Sequence, residues 1–383
     1  MHRVNHVGIG GFRRLNDISL EMRPLMVMIG ANGVGKTSFL DALSLLSGSA
    51  AGTMNRKLSE MGGLADVLTR GRSDDLILRA EMGVPGHEPL QYDLHLEPKG
   101  QSYTISRESL SQVRPPHPEP FKHIESRYSD IRYFNIDTGK LVRPNWEHNP
   151  LESSLSQVPK MFREPEEMRR TLSSITLYDV LDVGPRAPVK LPQQMKPADL
   201  PGENGEDLVS FLFNLRESSR ECYEAIEDTM KAAFPGFVSL NFPPVAAGML
   251  SMTWKESSFR DPMYMHQLSE GTLRFLWLVS LLQSPGLSTV TMIDEPEVSL
   301  HPELLGLLAD LMREASTKRT QLIVATHSDR LIRFLDPKEV VVMDIDENGF
   351  AVAKWADTLD LDHWLKEYTL DEVWRMGRMG GRA

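Results

Sequence analysis

The sequence predicts an α/β fold with an N-terminal antiparallel meander, a central and mostly parallel sheet, and an inserted, mainly helical lobe. Three observations predict it. Leu25–Ile29 is a continuous apolar run that enters a glycine-rich stretch and then a segment with apolar residues at helical spacing, which makes a strand–loop–helix unit. Between Leu76 and Ile105 the segments "LILRAEM", "YDLHLEP" and "SYTIS" alternate across Gly- and Pro-containing turns, as antiparallel strands do. The last third alternates helical patterns with apolar runs, as β–α–β units do.

The elements follow in order. Arg3–Ile9 and Asp17–Met22 suit paired strands, and Leu25–Ile29 a buried central one. Phe39, Leu40, Leu43 and Leu46 form one face of a helix that Gly48 is expected to stop. Pro115–Pro120 marks a loop, and Ile131–Leu141 one more strand. Glu164–Leu181 and Asp207–Ala233 suit helices, separated by an extended segment rich in Pro and Gly; Val238–Trp254 suits a hairpin. Helix Ser269–Leu282 then precedes strand Thr289–Ile293, and helix Glu303–Ala315 precedes strand Gln321–Ala325. A short helix from Asp329 leads to the strand Val340–Met343, a turn at "DENG" and the strand Phe350–Trp355. No internal repeat or heptad array is present.

Composition removes several classes. The chain has 383 residues, long enough for two domains or one large one, with a net charge of −11 and a single cysteine. Cys222 has no intrachain partner, so neither a disulfide framework nor a multi-cysteine zinc site is expected, and a reducing, cytoplasmic location is. The longest apolar run, Phe275–Leu282, is far short of the ~20 residues that span a bilayer, so no membrane role is expected. The acidic balance does not favour general nucleic-acid binding, which needs clustered Lys and Arg.

Four motifs carry chemistry. Gly30-Ala31-Asn32-Gly33-Val34-Gly35-Lys36-Thr37 fits G-x-x-x-x-G-K-[ST], a loop whose backbone N–H groups wrap a triphosphate where a Cβ would obstruct them. Its expected nucleotide-binding residues are Gly30, Asn32, Gly33, Gly35, Lys36, Thr37 and Ser38. Lys36 would reach the β- and γ-phosphates of ATP, and the Thr37 hydroxyl would ligate Mg²⁺. The run Thr289–Ile293 ends in Asp294 and Glu295, as metal ligand and as base for the attacking water, or as a solvated acidic turn. Leu268-Ser269-Glu270-Gly271-Thr272 opens a helix, with Ser269 either an ordinary N-cap or, with Gly271, a donor to a γ-phosphate. His327 follows the strand Gln321–Ala325 as a γ-phosphate contact or as a structural hydrogen-bond partner.

In this order the motifs resemble the ABC ATPase superfamily, and most closely its compact branch of RecF-like, SMC-head-like and OLD-type ATPases. "IGGFRRLNDISL" resembles that branch's opening N-F-R-S-L-x-D strand pair, with Gly11 where Asn is usual, and "DEPEVSLHP" its D-E-P-E-x-x-L-H-P run. The resemblance covers both ends of the chain well and the middle poorly. It implies a P-loop ABC-ATPase head, with residues 1–155 and 285–383 forming the ATP-binding lobe and 156–284 the helical, signature-bearing insert. It implies Glu295 and His327 as catalytic residues, and a head-to-tail homodimer or higher homo-oligomer in which each ATP lies between one phosphate loop and the other protomer's Ser269–Gly271. Residues Pro296–Pro302 would cross that interface, with Glu297 and His301 as polar members, Glu297 alternatively solvating its turn. Phe12 and Arg13 would lie near the adenine. Gln157 would be the Mg²⁺-sensing glutamine, or else a surface residue.

The 231 residues between Lys36 and Leu268 hold no heptad coils, which argues for a compact inserted lobe and against a chromosome-tethering arm. Only 56 residues follow His327, too few for the Toprim domain that follows the ATPase part of OLD-type nucleases; Asp344 and Asp346 suit a hairpin turn. The segment "HWLKEYTLDEVWRMGRMGGRA" resembles the tail of standalone ATPases found beside small Toprim-like proteins in bacterial defence gene sets. The leading expectation is an ATP-gated scaffold or sensor for a separate protein effector, a nuclease among the candidates, in anti-phage defence. The alternative is a RecF-like clamp closing on DNA through a groove of Arg163, Arg169, Arg170 and Arg274. A transporter motor would need a membrane partner and usually lacks the long insert.

Overall fold

Residues 3–116, 119–361 and 363–380 are described by a computed structural model. The chain divides into two units, one comprising Met1–Thr176, Pro337–Tyr368 and Glu372–Ala383, the other Leu177–Asp336 and Thr369–Asp371.

The first unit holds an eight-stranded antiparallel sheet. Its spatial order is Leu15–Glu21, Arg3–Phe12, Leu76–Val84, His87–Lys99, Ser102–Gln112, Phe121–Arg127, Asp130–Asn135, Lys140–Val142. Only the pairing of Arg3–Phe12 with Leu76–Val84 joins strands that are not consecutive, so most of the sheet is a run of hairpins, as the alternating pattern predicts. It also extends further. Phe121–Arg127 lies beyond the expected meander, and Ile131–Leu141 forms two strands folded about a turn, with Tyr133 opposite Val142. Short, weakly apolar strands of this kind carry little periodicity of their own and form because a paired edge is already present.

Beside that sheet, Leu25–Ile29 runs parallel to Val340–Ile345, with Val27 opposite Val340, and Ala351–Trp355 returns antiparallel. Asp346 Oδ1 accepts the Asn348 and Phe350 N–H groups in the turn, bonds that hold its carboxyl below the usual range, and Asp344 and Asp346 therefore belong to a hairpin. Helix Lys36–Ala51 passes through Gly48 and is capped by Gly52, at φ 72°. Gly48 does not end the helix; a Cβ there would lie 2.6 Å from Lys57 Cδ on the helix Met54–Glu60, whose flexible side chain would have to shift.

Glu108 ties the eight-stranded sheet to the segment after it. Fully buried, its carboxyl accepts the Tyr92 hydroxyl and the Ser154 and Leu155 N–H groups, while burial raises its pKa. Glu152 accepts the Met54 and Asn55 N–H groups, and the Ser153 hydroxyl donates to the Ser49 carbonyl. Three polar side chains thus anchor residues 152–155 where an apolar pattern gives no signal.

The second unit pairs Val290–Asp294 in parallel with Gln321–Ala325, connected through the helix Leu304–Lys318. The helix Glu270–Leu282 is buried on nearly every face and packs on Leu304–Lys318 and on Arg220–Ala233. Residues 285–336 therefore cluster with the signature helix, and the compact units do not follow the lobes 1–155 with 285–383 and 156–284. The expected helix over 207–233 is broken at Ser219 into Leu208–Ser218 and Arg220–Ala233. In the hairpin, Phe237–Asn241 pairs antiparallel with Thr253–Glu256, Leu240 opposite Trp254.

Candidate nucleotide site

The first unit builds the phosphate loop at the end of its buried strand. Gly30 has φ 152°, and a Cβ there would lie 2.4 Å from the Met343 carbonyl oxygen of the neighbouring strand. Gly33 and Gly35 have φ 78° and 116°, values that L-residues rarely adopt. Gly35 is the N-cap of Lys36–Ala51, with no side-chain cap and no acidic residue in the first turn, so the positive helix end is not neutralised by its own sequence. Lys36 is 5% exposed, and its ammonium donates to the carbonyls of Gly30 (2.6 Å) and Ala31 (3.0 Å). Asn32, Gly33 and Thr37 are exposed and Ser38 is half-buried. Such a cradle fits a polyphosphate: backbone donors, one cation held against the loop, and a hydroxyl beside it.

Phe12 and Arg13 turn out differently from each other. Phe12 is wholly buried, so its ring is a core side chain and offers no face to an adenine. Arg13, at φ 48°, pairs with Asp41 on the helix after the loop. Gly11, where the related pattern has Asn, sits at φ 73° with the Asp75 carbonyl 2.1 Å from where a Cβ would be, a position that only glycine fits.

Gln157 is not brought to the phosphate loop. Its neighbour Ser156 lies 3.6 Å from the Cβ position of Gly52, at the far end of a 16-residue helix, roughly 24 Å along the axis at 1.5 Å per residue. Its Oε1 accepts the Asn149 N–H, and its amide nitrogen donates to the carbonyls of Asn149, Glu152 and Ser153. The carboxamide is used within its own loop, which removes it as a candidate for Mg²⁺.

The second unit gathers the acidic pair and the histidine. The parallel register sets Asp294 opposite Ala325, and the Glu295 N–H donates to the Ala325 carbonyl at 2.8 Å. Glu295 therefore emerges beside Thr326-His327, and its Oε1 lies 3.4 Å from His327 Nε2. Glu295 adopts φ 46°, a strained turn for a non-glycine residue. Glu297 accepts the Thr326 hydroxyl at 2.5 Å and the His327 N–H at 3.3 Å; burial raises its pKa. His301 instead faces Glu303, in an exposed pair.

Ser269 is an N-cap. Its Oγ accepts the Thr272 N–H at 3.1 Å and lies 2.7 Å from the Thr272 hydroxyl, while the side chain stays exposed. Gly271 is packed closely: a Cβ would lie 2.5 Å from the Ser299 carbonyl. Arg274 donates to the Ser299 hydroxyl at 2.5 Å and to the Leu181 carbonyl at 3.2 Å. Sequence reasoning assigned nothing to Ser299 or Thr326, because both depend on contacts between segments far apart in the chain.

A family described as "AAA domain, putative AbiEii toxin, Type IV TA system" matches residues 25–333, from the strand before the phosphate loop to beyond His327. The chain belongs to this AAA family. The Old nuclease of Escherichia phage P2 is 22% identical over 391 residues, covering 92% of this chain and 61% of that protein, so the chain spans under two thirds of that relative's length. Among solved structures, an SMC head bound to the C-winged helix domain of ScpA has a TM-score of 0.55 at 15% identity, covering 93% of this chain and 99% of that one. The Smc head domain of Pyrococcus furiosus, with an extended coiled coil and bound to the C-terminal domain of ScpA, has a TM-score of 0.54 at 13% identity, covering 96% and 99%. The fold is that of an SMC head. No helix among the described residues is long and apolar enough to cross a membrane.

Proposed function

We propose that the chain is an ATP hydrolase that works as a head-to-tail dimer and acts as an ATP-gated scaffold or sensor for a separate protein effector in anti-phage defence. The observation that carries the ATPase reading is the loop Gly30–Thr37, with three glycines at positive φ, an uncapped helix start and a buried lysine. Gly30, Asn32, Gly33, Gly35, Lys36, Thr37 and Ser38 bind the phosphates, and Lys36 exchanges its two carbonyl acceptors for phosphate oxygens. Thr37 and Asp294 are the candidate Mg²⁺ ligands; the ion supplies charge neutralisation on the phosphates. Glu295 takes a proton from the water that attacks the γ-phosphorus, the bond to the β-phosphate oxygen breaks, and ADP leaves with that electron pair. His327 contacts the γ-phosphate. Ser269 and Gly271 serve the nucleotide held by the partner protomer.

Two facts support a separate effector. The SMC-head relatives of similar fold are described as bound to domains of another protein, ScpA. The chain also carries a charge of −11, and three of the four arginines of the alternative DNA groove are used locally: Arg163 by Glu167, Arg169 by Glu166 and Val158, Arg274 by Ser299 and Leu181. The likeness to Old nuclease makes a nuclease the first effector to test. Purified protein is expected to turn over Mg²⁺–ATP and to gain mass toward a dimer when ATP is added, measured by phosphate release and light scattering. Absence of both would overturn the reading.

A further inference from the structure

We infer that Glu297 is a positioning residue for His327, fixing the imidazole against Glu295 through the backbone of the Thr326-His327 turn; the inference rests on the ATPase reading of that site. Three contacts converge on this turn. Glu297 Oε1 accepts both the Thr326 hydroxyl and the His327 N–H, the two groups that set where the histidine leaves its strand. Thr326 Oγ1 in turn accepts the Ser328 N–H at 2.9 Å, so one carboxylate oxygen organises three consecutive residues. The product of this arrangement is the 3.4 Å approach of His327 Nε2 to Glu295 Oε1.

Glu297 is itself held firmly enough to do this. The Val298 N–H donates to the Glu295 carbonyl and the Leu300 N–H to the Glu297 carbonyl, which folds residues 295–300 into consecutive turns. Ser299, at φ 63°, is fastened by Arg274, and its carbonyl packs on Gly271. The carboxylate therefore sits on a loop fixed at both ends, as a group that orients a neighbour must. Its second oxygen, Oε2, is enclosed with no hydrogen-bond partner among the described residues. A carboxyl kept in such surroundings only to solvate a turn would face water. Nothing in the sequence pattern "DEPEVSLHP" assigns this contact, because Thr326 lies 29 residues away.

The test compares Glu297→Ala, Glu297→Gln and His327→Ala. Glutamine keeps an oxygen that can accept both hydrogen bonds, and alanine removes it. Glu297→Ala is expected to lower kcat by about 10- to 100-fold with KM for ATP within about threefold, and Glu297→Gln to recover most of that loss, in keeping with the cost of removing a group that orients an active-site residue. Glu297→Ala combined with His327→Ala should be no slower than His327→Ala alone. The His327 ring resonances, followed by NMR without nucleotide, should move in Glu297→Ala and hold their wild-type positions in Glu297→Gln. Losses that multiply in the double variant, or unmoved ring resonances in Glu297→Ala, would overturn the link. A wild-type protein that hydrolyses no ATP while its His327 resonances still respond to Glu297→Ala counts against the proposed function and supports the positioning contact.

Discussion

Glu295→Gln is expected to bind Mg²⁺–ATP with near wild-type affinity, to hydrolyse it at least ~100-fold more slowly, and to accumulate as an ATP-bound dimer or larger species. The magnitude is that of losing a positioned general base, typically 10²- to 10⁴-fold. The substitution changes little else. Glutamine has the same length as glutamate and the same Cβ, so the φ of 46° costs it about what it costs glutamate, and the backbone bond from residue 295 to the Ala325 carbonyl is untouched. An amide can still accept a hydrogen bond from a water but cannot take its proton. If hydrolysis is what releases the dimer, blocking it should trap the closed form. Phosphate release and light scattering with ATP measure the two effects separately. Wild-type turnover by Glu295→Gln would remove Glu295 as the base.

The second large effect is expected at Lys36. Lys36→Ala should weaken Mg²⁺–ATP binding by roughly 100-fold or more, since a charge-assisted hydrogen bond is worth about 1.5–3 kcal/mol and in the proposed site the ammonium would reach more than one phosphate oxygen. The ammonium is bonded to the carbonyls of Gly30 and Ala31, so ATP must compete with those bonds, and the gain is the difference between the two sets of contacts. Removing the side chain also leaves those carbonyls without this donor, which adds a modest loss of stability. Titration with a fluorescent ATP analogue, alongside thermal melting, separates the two contributions. Unchanged affinity would mean that the loop does not hold the nucleotide.

Where function depended on local backbone chemistry, the sequence was informative. Gly30, Gly33 and Gly35 announce the phosphate loop because other residues rarely adopt those angles, and the apolar runs at 290–293 and 321–325 predict the parallel pair that sets Glu295 beside His327. What stayed hidden was decided by contacts distant in sequence. Gly48 is the residue type of a helix stop, yet the helix runs on to Ala51 and Gly52 caps it. Gln157 has the right residue type after a strand, but polar anchors at Glu108, Glu152 and Ser153 carry its segment to the far end of the helix. Phe12 lies in the strand where the pattern places an adenine contact, and its alternation turns it into the core. Glu297 was legible as a polar member of the segment Pro296–Pro302 or as a solvated turn residue, and its contact with Thr326 was not, since the pattern does not name that partner.

The central claim is that each ATP is completed by two protomers, and mixing two inactive variants tests it most directly. Lys36→Ala removes the phosphate loop's cation, and Ser269→Arg blocks the signature helix start. In a head-to-tail dimer of one of each, one site carries both defects and the other carries neither. Each variant alone should be nearly inactive, and an equal mixture should recover up to roughly a quarter of wild-type turnover, because about half the dimers are mixed and each has one of two sites intact. Turnover in the mixture no greater than the mean of the two variants would contradict a site shared between protomers.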